Sequence, residues 1–224
     1  MDIILLGAGG HAKDLIANIE DMNAASGKGK KISIIGCVDD TGRADSGLKK
    51  LGYEIFKSAD VLSKRGFRSV AVVTAVGDPL NKIRFIEKVK KYNPKFANII
   101  HPSSLISRSA VLGRGITVFA HSAISSFCRI GDHVSINFLC SVSHDSIIGE
   151  YSTLCPGVNV SGRVTIGECS LMGVKSSCSN KLSLGPWCVI GAGTLVVKDV
   201  PANAIAAGVP HKILGKREKD KPVL

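Results

Sequence analysis

From Ile100 to Val196 an aliphatic or similarly apolar residue returns at every sixth position: Ile100, Ile106, Leu112, Val118, Ile124, Ile130, Ile136, Val142, Ile148, Leu154, Val160, Ile166, Met172, Cys178, Leu184, Ile190 and Val196. Four positions further on stands a mostly small residue, as at Ser104, Ala110, Ser122, Cys128, Cys140, Ser146, Ser152, Ser170, Ser176, Cys188 and Thr194. The position just after the apolar one is often glycine: Gly113, Gly131, Gly149, Gly167, Gly173, Gly185, Gly191. A period of six suits neither a helix, with its period of 3.6, nor a lone strand, with its period of two. It suits a chain wound into a parallel β-helix, in which each hexad supplies one side and one corner, and residues three hexads apart stack. Apolar residues then fill the axis, small ones fit the inner corner, and the glycines are expected to relieve the bend. The series predicts between five and six coils, a prism about 25 to 28 Å long at ~4.8 Å per coil.

The pattern before residue 100 is different. Short apolar runs at Ile3–Gly7, Ile32–Val38 and Ser69–Val76, with weaker ones at Tyr53–Phe56 and Phe96–Ile100, read as strands. Helical spacing over His11–Met22 places Leu15, Ile16 and Ile19 on one face; over Asp78–Tyr92 it places Ile83, Ile86 and Val89 inward and the lysines outward. A short helix is expected near Ala59–Lys64, and a polar loop over 23–31. Alternating strands and helices predict a small Rossmann-like parallel α/β domain over residues 1–99, followed by the parallel β-helix with a C-terminal cap over 100–224. In that cap Ile213 and Leu214 are expected to pack on the last coil, and Lys216–Lys221 to be a frayed, solvated end.

Composition narrows the classes. Few aromatics and one tryptophan in 224 residues suit a narrow core filled by aliphatics. Seven cysteines without a CxxC pair read as small core residues in a reducing cytoplasm, with no metal expected. The opening residues carry no basic leader, and no run reaches membrane length. The net charge of +11 favours acidic ligands. The basic residues are dispersed and lack an aromatic stacking motif, so phosphate-bearing small molecules fit better than nucleic acid.

Two groups of residues can carry chemistry. Gly7-Ala8-Gly9-Gly10-His11 lies between a strand and a helix, where glycines let backbone N–H groups approach an anion. Without an acid some 20 residues on, it is a weak dinucleotide fingerprint, and a ligand-free tight turn is the plain alternative. Asp39 and Asp40 follow the second strand, where they can bind a ribose or base or simply cap the strand in solvent. His144-Asp145 occupies a corner of its hexad and projects from the prism, where parallel prisms packed as a trimer would make a shared cleft. Imidazoles titrate near neutral pH, and an adjacent carboxylate can fix the tautomer and stabilise the imidazolium, as acyl transfer from a thioester requires; a solvated corner histidine is the alternative.

Beyond these readings, the chain from Ile3 to about Lys216 resembles the hexapeptide-repeat acyltransferases, in particular the subfamily that acetylates sialic acids or nucleotide-linked 4-amino sugars. The likeness rests on Gly7–His11, Asp39-Asp40, His101-Pro102, His144-Asp145, Gly191-Ala192-Gly193 and Gly208-Val209-Pro210. It implies that the β-helix is left-handed and that the protein is a homotrimeric acetyltransferase using acetyl-CoA and a sugar or nucleotide sugar, with His144 as base and Asp145 as its partner. Gly7, Gly9, Gly10, His11, Asp39 and Asp40 would hold the substrate. The backbone at Gly162, Ala192 and Gly193 would meet the pantetheine arm and acetyl group, with Lys212 and Lys216 near the coenzyme phosphates. Where relatives often carry a second histidine, this chain has Thr153. Its hydroxyl, or the Gly162 N–H alone, would have to face the thioester carbonyl.

Three other functions compete with N-acetylation. One is O-acetylation of a sialic-type sugar; another is a non-catalytic sugar-nucleotide binder, to which Thr153 lends some weight. The third is a zinc carbonic anhydrase, which needs three imidazoles meeting at one point. His121, His133 and His144 fall on different sides of the prism, so they cannot stack within a chain.

Overall fold

The computed structural model describes residues 1–27, 29, 31–42, 44–67 and 69–223; Lys28 and Lys30, in the expected 23–31 loop, lie outside the described residues. The first layer is a five-stranded parallel sheet in the order β3-β2-β1-β4-β5, formed by β1 (Asp2–Leu6), β2 (Ser33–Val38), β3 (Ile55–Phe56), β4 (Ala71–Thr74) and β5 (Lys95–Phe96). Strand β1 is apolar on both faces because both are covered. Ile3 and Leu5 pack under helix α1 (Gly10–Ala25), while Ile4 and Leu6 pack towards helix α3 (Pro79–Lys90). Helix α1 buries Leu15, Ile16 and Ile19, as its periodicity predicts. The short helix α2 (Ser46–Lys50), unforeseen in the sequence, is capped by the Asp45 carboxylate accepting from Gly47 N–H. Ala59–Ser63 winds as a 3-10 turn.

Helix α3 departs from the expected face. Ile83 is only half-buried, whereas Phe85, Ile86, Val89 and Lys82 are buried. Lys82 points inward, against the reading of the lysines as solvated. The reason is a ring of oxygen acceptors on the prism. Its Nζ lies 3.0 Å from Ser135 Oγ, 3.2 Å from Thr153 Oγ1, 3.3 Å from Ser152 O and 3.4 Å from Tyr151 O. Loss of water still pulls its pKa down to about 7. The lysine thus pegs α3 to the second layer.

That layer is the left-handed parallel β-helix. The expected strand at Phe96–Ile100 is split: Lys95–Phe96 closes the α/β sheet and Ile99–Ile100 opens the prism. Two-residue strands then recur every six residues, and each pairs with the strand 18 residues on, as in Ala123↔Ser141 and Ile124↔Val142. Three sheets form the sides. One continuous apolar core runs along the axis from Ile116 to Ala206. Small Ser122, Ser146, Ser152 and Ser170 are buried at the inner corners, where Ile116, Val134, Val158 and Val164 occupy the same register. Truncating a fully buried axial residue, Ile136→Ala, is expected to cost about 2–5 kcal/mol of unfolding free energy in urea titration, with the far-UV spectrum unchanged.

The glycines that follow the apolar positions do not relieve the bend. The left-handed residues fall two positions later and are mostly not glycine: His121, Phe127, His133, Leu139, Asp145 and Tyr151 all have φ near +60°. The glycines are there for closeness. A Cβ at Gly149 would come 2.4 Å from Glu168 N, and one at Gly167 2.3 Å from Pro186 N, so the next coil could not stack.

The C-terminal segment also differs from its expected form. Lys212–Lys216 adds an antiparallel strand to Ala204–Ala207, but Ile213 and Leu214 remain exposed. Lys216 and residues 218–221 are exposed, as expected, but the chain beyond the added strand is anchored rather than frayed. Arg217 is buried, with its Nη1 donating to Cys169 O, and Val223 packs on the prism core. Among the described residues no helix is long and apolar enough to cross a membrane, and no group of three or more His, Cys, Asp or Glu is arranged to hold a metal.

Candidate active site

The order of the parallel sheet sets the first half of the site. Strand β1 lies between β2 and β4, so the loops leaving their C-terminal ends diverge and open a crevice there. A cleft of about 780 Å³ occupies this place, lined by Gly7, Gly9, Gly10, His11, Asp39, Asp40 and the loop 75–78, with Asn137, Thr153, Cys155 and Pro156 of the prism opposite. The substrate residues read from the sequence are therefore gathered in one cavity. Gly7 has φ +121°, and a Cβ there would sit 2.7 Å from Val76 Cγ2, so the turn itself requires glycine. At Gly9 and Gly10 a Cβ would meet no protein atom, so that space is left to the cleft. Gly9 caps α1 without a side-chain hydrogen bond, and no acid sits in the first turn, which suits an anion at the helix N-terminus.

His11 packs on Phe119 with ring centroids 5.3 Å apart, and its buried Nε2 has no hydrogen-bond partner. Burial, with the charge of Lys82 as a second cause, lowers its pKa to about 4. Asp39 is buried, and its Oδ1 accepts from Thr41 N–H and from the Thr41 hydroxyl at 2.9 and 2.6 Å. Asp40 forms an ion pair with Lys88. These carboxylates are held in place by their neighbours rather than loose in solvent. Residues that sequence reasoning did not single out, notably Asn81, Arg84 and Lys88 on α3 and Asn137 on the prism, complete the lining. Only the helical spacing of Asn81, Arg84 and Lys88 could have signalled them.

The second half of the site is the corner at His144. Its Nδ1 lies 2.8 Å from Asp145 Oδ2, and Arg163 Nε lies 3.8 Å from the same oxygen. Both side chains are about half exposed. Asp145 has φ +60°, which turns its carboxylate back towards the ring. One coil on, Gly162 makes room: a Cβ there would stand 2.7 Å from both Cε1 and Nε2 of His144. Gly162→Ala is therefore expected to tilt the imidazole and lower kcat about 10- to 100-fold in a thiol-release assay, while the melting temperature stays near that of the parent.

Not every expected residue joins these two groups. Ala192 and Gly193 lie at a different corner of the prism from His144, and Lys212 lies in the exposed last strand. Thr153 is fully buried, donates to Gly77 O at 2.7 Å and accepts from Lys82. Its hydroxyl ties the prism to the loop 75–78 and does not face the His144 corner within the protomer. The imidazoles also stay apart. His133 is buried between Phe96 and Tyr151, His121 is exposed, and His144 is paired with Asp145.

The chain is related to the hexapeptide-repeat acyltransferases. Residues 2–89 match the family model described as the PglD N-terminal domain. GDP-perosamine N-acetyltransferase of Escherichia coli O157:H7 is 28% identical over 172 residues, 75% of this chain and 77% of that protein. The X-ray structure of PerB from Caulobacter crescentus in complex with CoA and GDP-perosamine superposes with a TM-score of 0.83 at 29% identity, covering 96% of this chain and 98% of the other. The acetyltransferase domain of PglB from Neisseria gonorrhoeae in complex with acetyl coenzyme A gives 0.81 at 26% identity, covering 95% and 98%. The similarity is thus to the perosamine and PglB-type sugar N-acetyltransferases.

Proposed function

We propose that the protein transfers an acetyl group from acetyl-CoA to the amine of a nucleotide-linked amino sugar. The observation that carries the reading is the His144–Asp145 pair, with Nδ1 engaged by the carboxylate and Nε2 directed over Gly162. In the reaction the amine nitrogen attacks the thioester carbonyl carbon. His144 Nε2 takes the proton the nitrogen sheds, and the tetrahedral intermediate collapses to amide and coenzyme A thiolate, which takes up the proton. Asp145 holds the tautomer and stabilises the transient imidazolium. Residues 1–99 act as the nucleotide-sugar unit, with the diphosphate at Gly9, Gly10 and His11 and the nucleoside at Asp39 and Asp40. Residues 100–224 carry acyl transfer. The structure of the relative PerB holds CoA and GDP-perosamine, the two classes of ligand this reading calls for.

The protein works as a homotrimer in the cytoplasm. His144 does not line the nucleotide cleft of its own chain, and one side of the prism lies between them. Exposed Leu105, Val111, Phe127 and Leu139 offer apolar surface for packing prisms side by side. A neighbouring prism also brings Gly162, Ala192 and Gly193 of two chains to one groove, where pantetheine would lie. Seven unpaired, buried cysteines suit a reducing compartment. The test pairs light-scattering mass with thiol release from acetyl-CoA over a panel of GDP- and UDP-linked amino sugars and free sialic acids. A trimer with release on an amino sugar supports the reading; release on sialic acid alone replaces it with O-acetylation.

A further inference from the structure

We propose that the C-terminal segment from Asp220 to Val223 is a wall of the nucleotide-sugar cleft, positioning Arg84 against the ligand's nucleoside diphosphate; this rests on the reading above. After the last strand the chain turns back along the prism. Arg217 is buried with its Nη1 on Cys169 O, and its guanidinium stacks on Trp187 at 5.1 Å, with Lys219 Nζ 5.5 Å from the same ring. These contacts anchor the segment and aim it at helix α3.

There it makes two ties to the cleft lining. Asp220 O accepts from Arg84 Nη2 at 2.8 Å, and Val223 N–H donates to Asp78 Oδ2. Pro222 itself lines the cavity, beside Asp78, Asn81 and Arg84. Arg84 is further steadied by Asn81 Oδ1, 3.4 Å from Nη1. A backbone carbonyl and an amide oxygen leave its charge unneutralised. The guanidinium is thus a pre-oriented cation on the cavity rim, with the uncapped N-terminus of α1 among the other lining groups. A diphosphate is the ligand chemistry that uses both, since guanidinium pairs with phosphate oxygens in a fork and helix N–H groups take the rest. Lys88, the other cation of that rim, is already paired with Asp40, so Arg84 is the group the tail sets apart for the ligand.

The test compares the full chain, a chain ending at Lys219, and Arg84→Met by calorimetric titration with GDP, UDP and acetyl-CoA. Trp187 is the sole tryptophan, and the shortened chain keeps Arg217 and Lys219. Unchanged tryptophan emission and melting temperature therefore certify its fold. The expected result is an approximately ten-fold weaker Kd for the nucleotide in the shortened chain, a similar loss in Arg84→Met, and no change for acetyl-CoA. Combining both changes should lose less than the product of the two, because each acts through the same side chain. Nucleotide binding by the full chain that truncation leaves unaltered overturns the role of the tail alone. A full chain that binds acetyl-CoA but neither nucleotide overturns the nucleotide reading, and this inference with it.

Discussion

Replacing His144 by asparagine is expected to lower kcat about 10²- to 10⁴-fold with little change in the KM of either substrate. Asparagine keeps a polar side chain that can still reach Asp145, so the corner remains hydrogen-bonded while the proton acceptor is gone. The geometry makes the effect specific. Nδ1 is held at 2.8 Å by Asp145, so the proton of the amine can be taken only at Nε2. Asp145→Asn should be milder, about 10- to 10²-fold, because it weakens orientation and charge stabilisation but leaves the base present. A pre-steady-state thiol-release trace separates these outcomes from slow product release. If His144→Asn turns over like the parent, His144 is not the base.

A second large effect is expected in acid. His11 and His133 are both held neutral, with pKa lowered from 6.5 to about 4, in each case chiefly by burial. Each lies below its value in the unfolded chain, so from pH 6.5 down to 4 the unfolded chain binds more protons than the folded one. The stability these residues contribute is complete above pH 6.5 and drains away as pH falls through that window. Each contributes up to ~1.4 kcal/mol per pH unit. The two together are expected to cost on the order of 3 kcal/mol between pH 6.5 and 5. Lys82 adds nothing here, since its folded pKa of about 7 makes its own contribution rise between pH 7 and 10.5. Urea midpoints at pH 6.5 and 5.0 measure the loss. His133→Phe, which preserves the stack between Phe96 and Tyr151, should remove about half of the slope. An equal slope in parent and variant would show that His133 is not held neutral.

The architecture was legible because the hexad forces it: a residue every six positions can be buried repeatedly only if the chain turns a corner each time. The reason for the glycines was not legible. Nothing local in Gly149 or Gly167 distinguishes a residue needed for φ from one needed so that the next coil can approach, and that contact is 19 residues away. Lys82 was misread for a related reason. Helical spacing gives a face but not the partner, and its four acceptors lie some 53 to 71 residues further along the chain. The cleft was legible in its glycines and aspartates, which stand at strand ends. Arg84 and Pro222 were not, because their meeting in one cavity wall depends on the path of a tail with no periodicity. Thr153 was read against a family pattern, and only the three-dimensional contact with Gly77 gives it its local role.

The most direct test of the account is the mass of the product formed from acetyl-CoA and a GDP- or UDP-linked 4-amino sugar, by the parent protein and by His144→Asn. The account predicts that the nucleotide sugar gains one acetyl group, that fragmentation places it on the amine nitrogen, and that the variant forms almost none at the same enzyme concentration. Acetylation on a hydroxyl, or product formed equally by the variant, would contradict it.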